Sequence, residues 1–313
     1  MRVAITGVAG FIGSNLADRM IAQGYEVVGI DNLAYGVREQ IPAGVDFRWT
    51  DIRERDLANH LGGVDTLFHL AAKNSIADCQ ADPVETADIN VRGTVNVLEA
   101  ARKSGLRKVV LAETSALYEG STTYPTPETD VAPRSVYAVS KFGAMQFAHA
   151  YERFHGMNLT ALRYLCVYGP RQDYRRTIPP VISAFIIKLL SGERPIIYGD
   201  GTKRRDFIFI DDVNDFHLRC MSDPRTDGNT YNLGGGRNYS IREIYDAITA
   251  LLGTSAEPEY RPDQIGEAAE NLGDISAARK LGWEPRIGLT EGLQRSIDYL
   301  RSHLLSGGTV SRE

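Results

Sequence analysis

Tyr137 and Lys141 lie four residues apart in the stretch VYAVSK (136–141). In a helix that spacing puts both on one face, with Cβ atoms roughly 5–6 Å apart. A fixed ammonium beside a phenol favours the phenolate. The pair therefore reads as a proton-transfer device tuned toward neutral pH, and equally, taken alone, as a solvated surface pair. A second group of residues bears on that choice. TGVAGFIG (6–13) places glycines at 7, 10 and 13. Without side chains there, the backbone can turn tightly and approach a pyrophosphate, and the amides that open a helix favour the anion. The Gly-x-x-Gly-x-x-Gly spacing differs from the general dinucleotide fingerprint, Gly-x-Gly-x-x-Gly. Asp31 follows about twenty residues on, where a carboxylate accepts hydrogen bonds from an adenosine ribose. It would repel a 2′-phosphate, which favours NAD over NADP.

These residues need elements to position them. RVAIT (2–6), EVVGID (26–31), DFRWTD (46–51), TLFHLA (66–71), KVVLAE (108–113) and LTALRYL (159–165) read as strands. Amphipathic stretches at 12–23, 83–104 and 134–155 read as helices between them. Strands alternating with helices imply parallel βαβ units and a doubly wound α/β sheet. Apolar strand centres fit a sheet covered on both faces. After residue 165 the pattern changes. A Pro- and Arg-rich loop precedes a helix at 180–191, and FIFIDDV (207–213) reads as a strand entering a helix. YNLGGG (231–236) reads as strand and loop, with helices expected at about 240–252 and 289–303.

Composition narrows the function classes. The 313 residues carry a formal net charge of −5 and are 43% hydrophobic. There is no long basic run of the kind a nucleic-acid partner leaves. No apolar run approaches the ~18–20 residues that span a membrane. The three cysteines, Cys79, Cys166 and Cys220, have no metal-ligand spacing, and they fit free thiols in a reducing cytoplasm.

TGVAGFIG, DNL (31–33), TDI (50–52), HLAA (69–72), INVRGTVNVLEA (89–100), YAVSK (137–141), RYLCVYGPRQ (163–172) and GDGTKRRDFIFIDDV (199–213) occur in that order. The ordered set resembles the extended short-chain dehydrogenase/reductase family, and within it the NAD-dependent nucleotide-sugar epimerases. The resemblance implies a Rossmann sheet with a smaller, mixed α/β carboxy-terminal substrate domain. Residues 1–165, rejoined by 206–232, would bind NAD. Residues 166–205 and 233–313 would bind the nucleotide sugar. By the same resemblance, Gly7, Gly10, Phe11, Ile12 and Gly13 hold the cofactor pyrophosphate, and Asp31 and Asn32 its ribose. Asp51 and Ile52 flank the adenine, Leu70, Ala71 and Ala72 line the cofactor channel, and Asn90 supports the central strands. Tyr137 and Lys141 become the catalytic pair, with Thr114 as the assisting hydroxyl. Thr114, Ser115, Tyr137 and Cys166 face the sugar. Ile178, Pro179, Val181, Ile197 and Tyr198 cup the nucleotide, and Arg205 and Gln264 stand at its phosphates. The implied reaction is epimerisation, at carbon 4 of a UDP-hexose, by transient oxidation with a tightly held NAD. A homodimer and no metal are also implied.

Departures from the family pattern loosen the substrate assignment. Cys166 replaces an asparagine, Glu113 and Glu119 replace serine and glycine, and Gln264 replaces an arginine that meets the diphosphate. Glu113 is expected to partner a nearby arginine. Arg175, Arg176 or Arg261 is expected to stand in for the missing one, because a neutral amide gives no charge-assisted fork. The basic DYRRT (173–177) would suit a further anion such as a uronate, as well as a solvated loop. Three alternatives stay open: epimerisation of a uronic acid or at another sugar carbon, 4,6-dehydration on the same scaffold, and a NAD-binding regulatory protein. Dehydratases place two acids directly after the threonine, where this chain has Ser115 and Ala116.

Overall fold

The computed structural model describes residues 1–172, 179–263 and 268–305. The first half alternates strand and helix: β1 (Arg2–Thr6), α1 (Phe11–Ala22), β2 (Glu26–Asp31), β3 (Val45–Trp49), β4 (Thr66–His69), α2 (Ile76–Ala81), α3 (Pro83–Ala87), a π-helical turn (Asp88–Gly93), α4 (Thr94–Lys103), β5 (Lys108–Thr114), α5 (Val136–His155) and β6 (Leu159–Tyr164). Then come β7 (Cys166–Tyr168), α6 (Val181–Leu190), β8 (Ile196–Tyr198), β9 (Arg204–Phe209), α7 (Ile210–Ser222), β10 (Asn229–Leu233), β11 (Asn238–Ser240), α8 (Ile241–Leu252), β12 (Glu259–Arg261), α9 (Ser276–Lys280) and α10 (Leu289–Leu305).

The large sheet has seven strands in the order β10-β6-β5-β4-β1-β2-β3, and all its pairs are parallel. The order reverses between β1 and β4, the switch point outside which α/β sheets bind ligands. Alternation along β1 feeds both faces. Val3 and Ile5 pack with Leu16 and Phe216 on one side, and Ala4 packs with Leu67, Val97 and Ala148 on the other. Each Leu or Phe so buried contributes roughly 1.5–3 kcal/mol. A third core gathers Phe185, Ile197, Ile244 and Ile297 around the small strands. These form a three-stranded sheet, β11-β9-β7, and the parallel pair β12-β8. β9 thus pairs within the small sheet, whereas α7 packs on α1 and β10 extends the large sheet.

The segment expected as one helix over 83–104 is broken into α3, the π turn and α4. Pro83 opens α3 behind an Asp82 cap that accepts the Glu85 N–H at 3.0 Å. The wider π turn swings Asn90 inward, where it is 1% exposed and fully bonded. Such turns inside α-helices concentrate at functional sites.

Candidate active site

The turn after β1 is shaped by its glycines. Gly7 has φ +76°, and a Cβ there would lie 2.8 Å from the Ala71 nitrogen. A Cβ on Gly13 would lie 2.1 Å from the Gly7 carbonyl oxygen, so helix and turn touch backbone to backbone. Gly10 is the N-cap of α1, with no side-chain cap and no acid in the first turn. The amides of Phe11, Ile12 and Gly13 have no intrahelical acceptor by construction, and the positive end of the helix dipole is left unneutralised. That cradle fits a diphosphate.

Asp31 ends β2 beside it. Its Oδ2 accepts the Ala9 N–H at 3.0 Å and its Oδ1 the Leu33 N–H at 2.8 Å. A carboxylate offers about four lone pairs, so two remain for the hydroxyls of a ribose. Burial pushes the Asp31 carboxyl up from its usual value, against the pull of these amides. Asn32 is already committed: its amide donates to Asp51 Oδ2 at 2.8 Å and its Oδ1 accepts the Ala34 N–H at 3.0 Å. Asp51 is gripped by the Arg53 guanidinium at 2.9 and 2.7 Å and by the Arg53 N–H at 2.8 Å, and these bonds hold it well below the usual carboxylate range. Ile52 is buried against Gly93.

A buried polar chain runs along the carboxyl edge of the sheet. Thr6 Oγ1 accepts the Leu70 and Ala71 amides at 3.2 and 3.3 Å and lies 2.8 Å from His69 Nδ1. His69 Nε2 lies 3.0 Å from Thr94 Oγ1, whose own proton goes to the Asn90 carbonyl at 2.7 Å. The only consistent assignment is a neutral imidazole protonated at Nε2. Burial and the nearby Lys141 charge push its pKa down to about 3. Asn90 continues the chain: it accepts the Lys73 N–H at 2.8 Å and donates to the Lys73 carbonyl and to Ser140 Oγ, each at 2.9 Å. Ser140 donates to the Tyr137 carbonyl at 2.7 Å. Leu70, Ala71 and Ala72 follow β4 and are half-buried.

α5 begins at a strongly fixed point. Ser135 Oγ caps it by accepting the Ala138 N–H at 3.1 Å, and Gly156 at φ +63° ends it. The Glu119 carboxylate accepts the Arg134 and Ser135 amides at 3.0 and 2.6 Å and the Ser135 hydroxyl at 2.7 Å. Glu119, one of the departures, therefore anchors the residue two positions before Tyr137. Tyr137 is half-buried and Lys141 is 7% exposed. Burial lowers the Lys141 pKa to about 8, opposed by the negative charge of Glu113. Thr114 ends β5 and accepts the Ala116 N–H at 3.1 Å. The turn it opens, Ser115–Tyr118, packs against α5. Glu113 pairs with Arg163, as expected of it.

The other expected substrate residues lie on the small-sheet side. Cys166 opens β7 and is half-buried. Pro179 and Val181 stand at the start of α6, also half-buried. Ile197 is fully buried in the third core, which leaves Tyr198, 37% exposed, to present a side chain from β8. Arg205 lies on β9 and donates to the Arg204 carbonyl at 2.9 Å. Arg261 pairs in register with Tyr198 and donates to Glu259 at 2.8 Å. Ile178, Gln264, Arg175 and Arg176 lie outside the described residues. Asn271 escaped the sequence reading. Its amide donates to Ser115 Oγ at 3.2 Å across 156 positions of sequence, and its Oδ1 is buried with no partner among the described residues. Nothing local in the sequence points to that contact.

The sequence profile described as the NAD dependent epimerase/dehydratase family matches residues 3–234, which span the glycine turn, Asp31, Thr114 and α5. The chain belongs to that family. It is 36% identical over 312 residues to the UDP-glucose 4-epimerase of Mycolicibacterium smegmatis, covering 96% of this chain and 99% of that one. Among solved structures it is similar to a UDP-glucose 4-epimerase of Thermotoga maritima with UDP-glucose, at TM-score 0.93 and 33% identity, over 97% of this chain and 100% of the other. It is also similar to the Thermus thermophilus UDP-glucose 4-epimerase in complex with NAD, at TM-score 0.88 and 31% identity, over 99% and 100% of the two chains. The cofactor of this family is NAD, and the uncapped turn with Asp31 beside it fits that molecule.

Proposed function

We propose that this protein interconverts UDP-glucose and its carbon-4 epimer. What supports the reading is that α5, which carries Tyr137 and Lys141 one turn apart, packs against the turn that Thr114 opens at the edge of the sheet. In this reading Phe11, Ile12 and Gly13 hold the diphosphate through their amides, and Asp31 holds the adenosine ribose through its free lone pairs. Asp51 and Ile52 bound the adenine. Asn32 acts indirectly, since its amide orients Asp51.

Tyr137, as phenolate, takes the proton of the sugar hydroxyl as general base. Lys141 stays protonated beside it and favours the phenolate. Thr114 hydrogen-bonds the reacting oxygen and steadies the proton in transit. NAD held on the glycine turn would supply a reversible hydride acceptor for the same carbon, so no net oxidation would result. Tyr137 gives its proton back to the inverted alcohol, which closes the proton balance. The first residues after Thr114 are Ser115 and Ala116, so loss of water lacks the acid it needs there. Tyr198, Arg205 and Arg261 receive the nucleotide end, and the seven-stranded unit and the smaller unit divide cofactor from sugar.

We also infer a homodimer. Val139, Phe142, Phe147 and Phe154 are exposed on the side of α5 away from Lys141, with Phe154 75% accessible. Large apolar side chains exposed together on one side of a helix mark a docking face. The three free cysteines support a cytoplasmic placement. Among the described residues no helix is long and apolar enough to cross a membrane. The deciding experiment is to incubate the protein with UDP-, dTDP- and GDP-sugars and follow products by NMR. Inversion at carbon 4 of UDP-glucose is expected. Turnover of only a uronate, or loss of water, would replace the reading.

A further inference from the structure

Glu113 is the penultimate residue of β5 and immediately precedes Thr114. It is 4% exposed. Its place in the strand alternation is that of Val109 and Leu111, which pack in the core beneath α4 and α5 with Met145 and Ala148. Its side chain therefore faces the helix that carries Tyr137 and Lys141. Arg163 stands opposite it in register on β6. The guanidinium meets a single carboxylate oxygen: Nε and Nη2 both approach Oε2 at 2.9 Å. Nη1 is turned elsewhere, to the Tyr118 hydroxyl at 2.8 Å and the Glu128 carbonyl at 2.7 Å. Among the described residues, Oε1 is buried with no hydrogen-bond partner. A buried carboxylate oxygen in that state is costly and calls for an explanation.

The surroundings of Lys141 supply one. From β4 it faces His69, a neutral imidazole. From its own helix it has Tyr137, one turn earlier, and from β5 it has Glu113. Of the acids on the segments packed against α5, Asp78 of α2 is exposed to solvent and the others are engaged. Glu85 pairs with Lys73, Asp88 with Arg53 and Arg92, and Glu99 with Arg102 and Lys103. We propose that Glu113 is a positioning residue for Lys141, its uncommitted oxygen supplying the counter-charge that keeps a buried ammonium in place. Arg163 holds the carboxylate by its other oxygen and fixes its orientation. The carboxylate does not touch the sugar. It acts through Lys141, so the proposal rests on the reading of Lys141 as the partner of Tyr137.

The test uses Glu113→Gln and Glu113→Asp in the full-length holoprotein, with two readouts. The first is the pH titration of Lys141 itself, followed by NMR after reductive ¹³C-methylation and assigned with Lys141→Arg. It reads the proposal even if UDP-glucose is not the substrate. Glu113→Gln is expected to lower that titration by about one unit, and Glu113→Asp to leave it near wild type. The second is the pH profile of kcat/KM with UDP-glucose. A drop of about one unit from a starting value near 8 predicts a loss of about eightfold at pH 8.5 and less than twofold at pH 6.5. A merely structural defect would lower both alike. Should Glu113→Gln fail to fold, Glu113→Gln with Arg163→Met also removes the buried guanidinium that the single variant leaves unpaired, and it is read in the same way. A Lys141 titration unmoved in the variant that folds would overturn the proposal.

Discussion

Asn90 donates to Ser140 at 2.9 Å while its carbonyl and amide bracket the Lys73 peptide groups. One side chain thus ties the loop after β4 to the helix of Tyr137. Replacing Asn90 with Ala leaves the Lys73 N–H buried and unpaired, at about 1–3 kcal/mol, and leaves its C=O with only the Cys79 thiol at 3.5 Å. The expected variant melts at lower temperature and loses at least about tenfold in kcat, since small displacements of a catalytic group cost that much. Calorimetry with steady-state kinetics checks both. An unchanged kcat would mean that Asn90 serves stability alone.

Tyr137→Phe keeps the ring and removes the proton acceptor. General base catalysis is worth roughly 10²–10⁴-fold, and kcat should fall by that amount. NAD released on denaturing the variant should match the wild-type amount, because the glycine turn and Asp31 are untouched. Turnover near wild type would remove Tyr137 from the mechanism.

Asp206, on β9, sits fully buried against the loops after β10 and β12, accepting the Gly235 amide at 2.6 Å and the Gly273 amide at 3.3 Å. Burial raises its pKa from 3.8 to about 7. The folded state therefore holds this proton more tightly than the unfolded chain. The stabilisation is complete below about pH 4 and fades as the pH rises through about 7. Asp206→Asn should flatten that part of the stability curve, measured by denaturant unfolding from pH 4.5 to 8. A wild-type slope that persists in the variant would assign the dependence to another group.

Phe147 lies 47% exposed among the outward apolar side chains of α5. Phe147→Glu places a charge there that burial in an interface would not tolerate. Sedimentation is expected to find a dimer for the wild type and a monomer for the variant, with the thermal stability of the isolated fold little changed. A wild-type monomer would end the dimer assignment.

The large sheet was legible because its strands announce themselves. β1, β2, β4, β5 and β6 are apolar runs bounded by glycine, proline or charge, and their observed limits fall within two residues of the expected ones. The break in the 83–104 helix was not legible, because the π turn comes from Asn90 reaching Lys73 and Ser140, partners far off in sequence. The commitment of Asn32 to Asp51 was hidden for the same reason. Glu113 read as a departure that would meet an arginine not yet identified, and Glu119 only as a departure. Their roles emerge from strand register in one case and from the end of a helix in the other. Contacts between segments that share no motif, such as Asn271 with Ser115, leave no trace in a single sequence.

In this mechanism hydride leaves one face of a sugar carbon and returns to the other without reaching water. UDP-glucose deuterated at carbon 4, incubated in ordinary water and followed by NMR, tests this directly. Deuterium retained at carbon 4 of UDP-galactose is the predicted result. Epimer formed with that label washed out into solvent would contradict it, and with it the pairing of Tyr137 with a hydride acceptor.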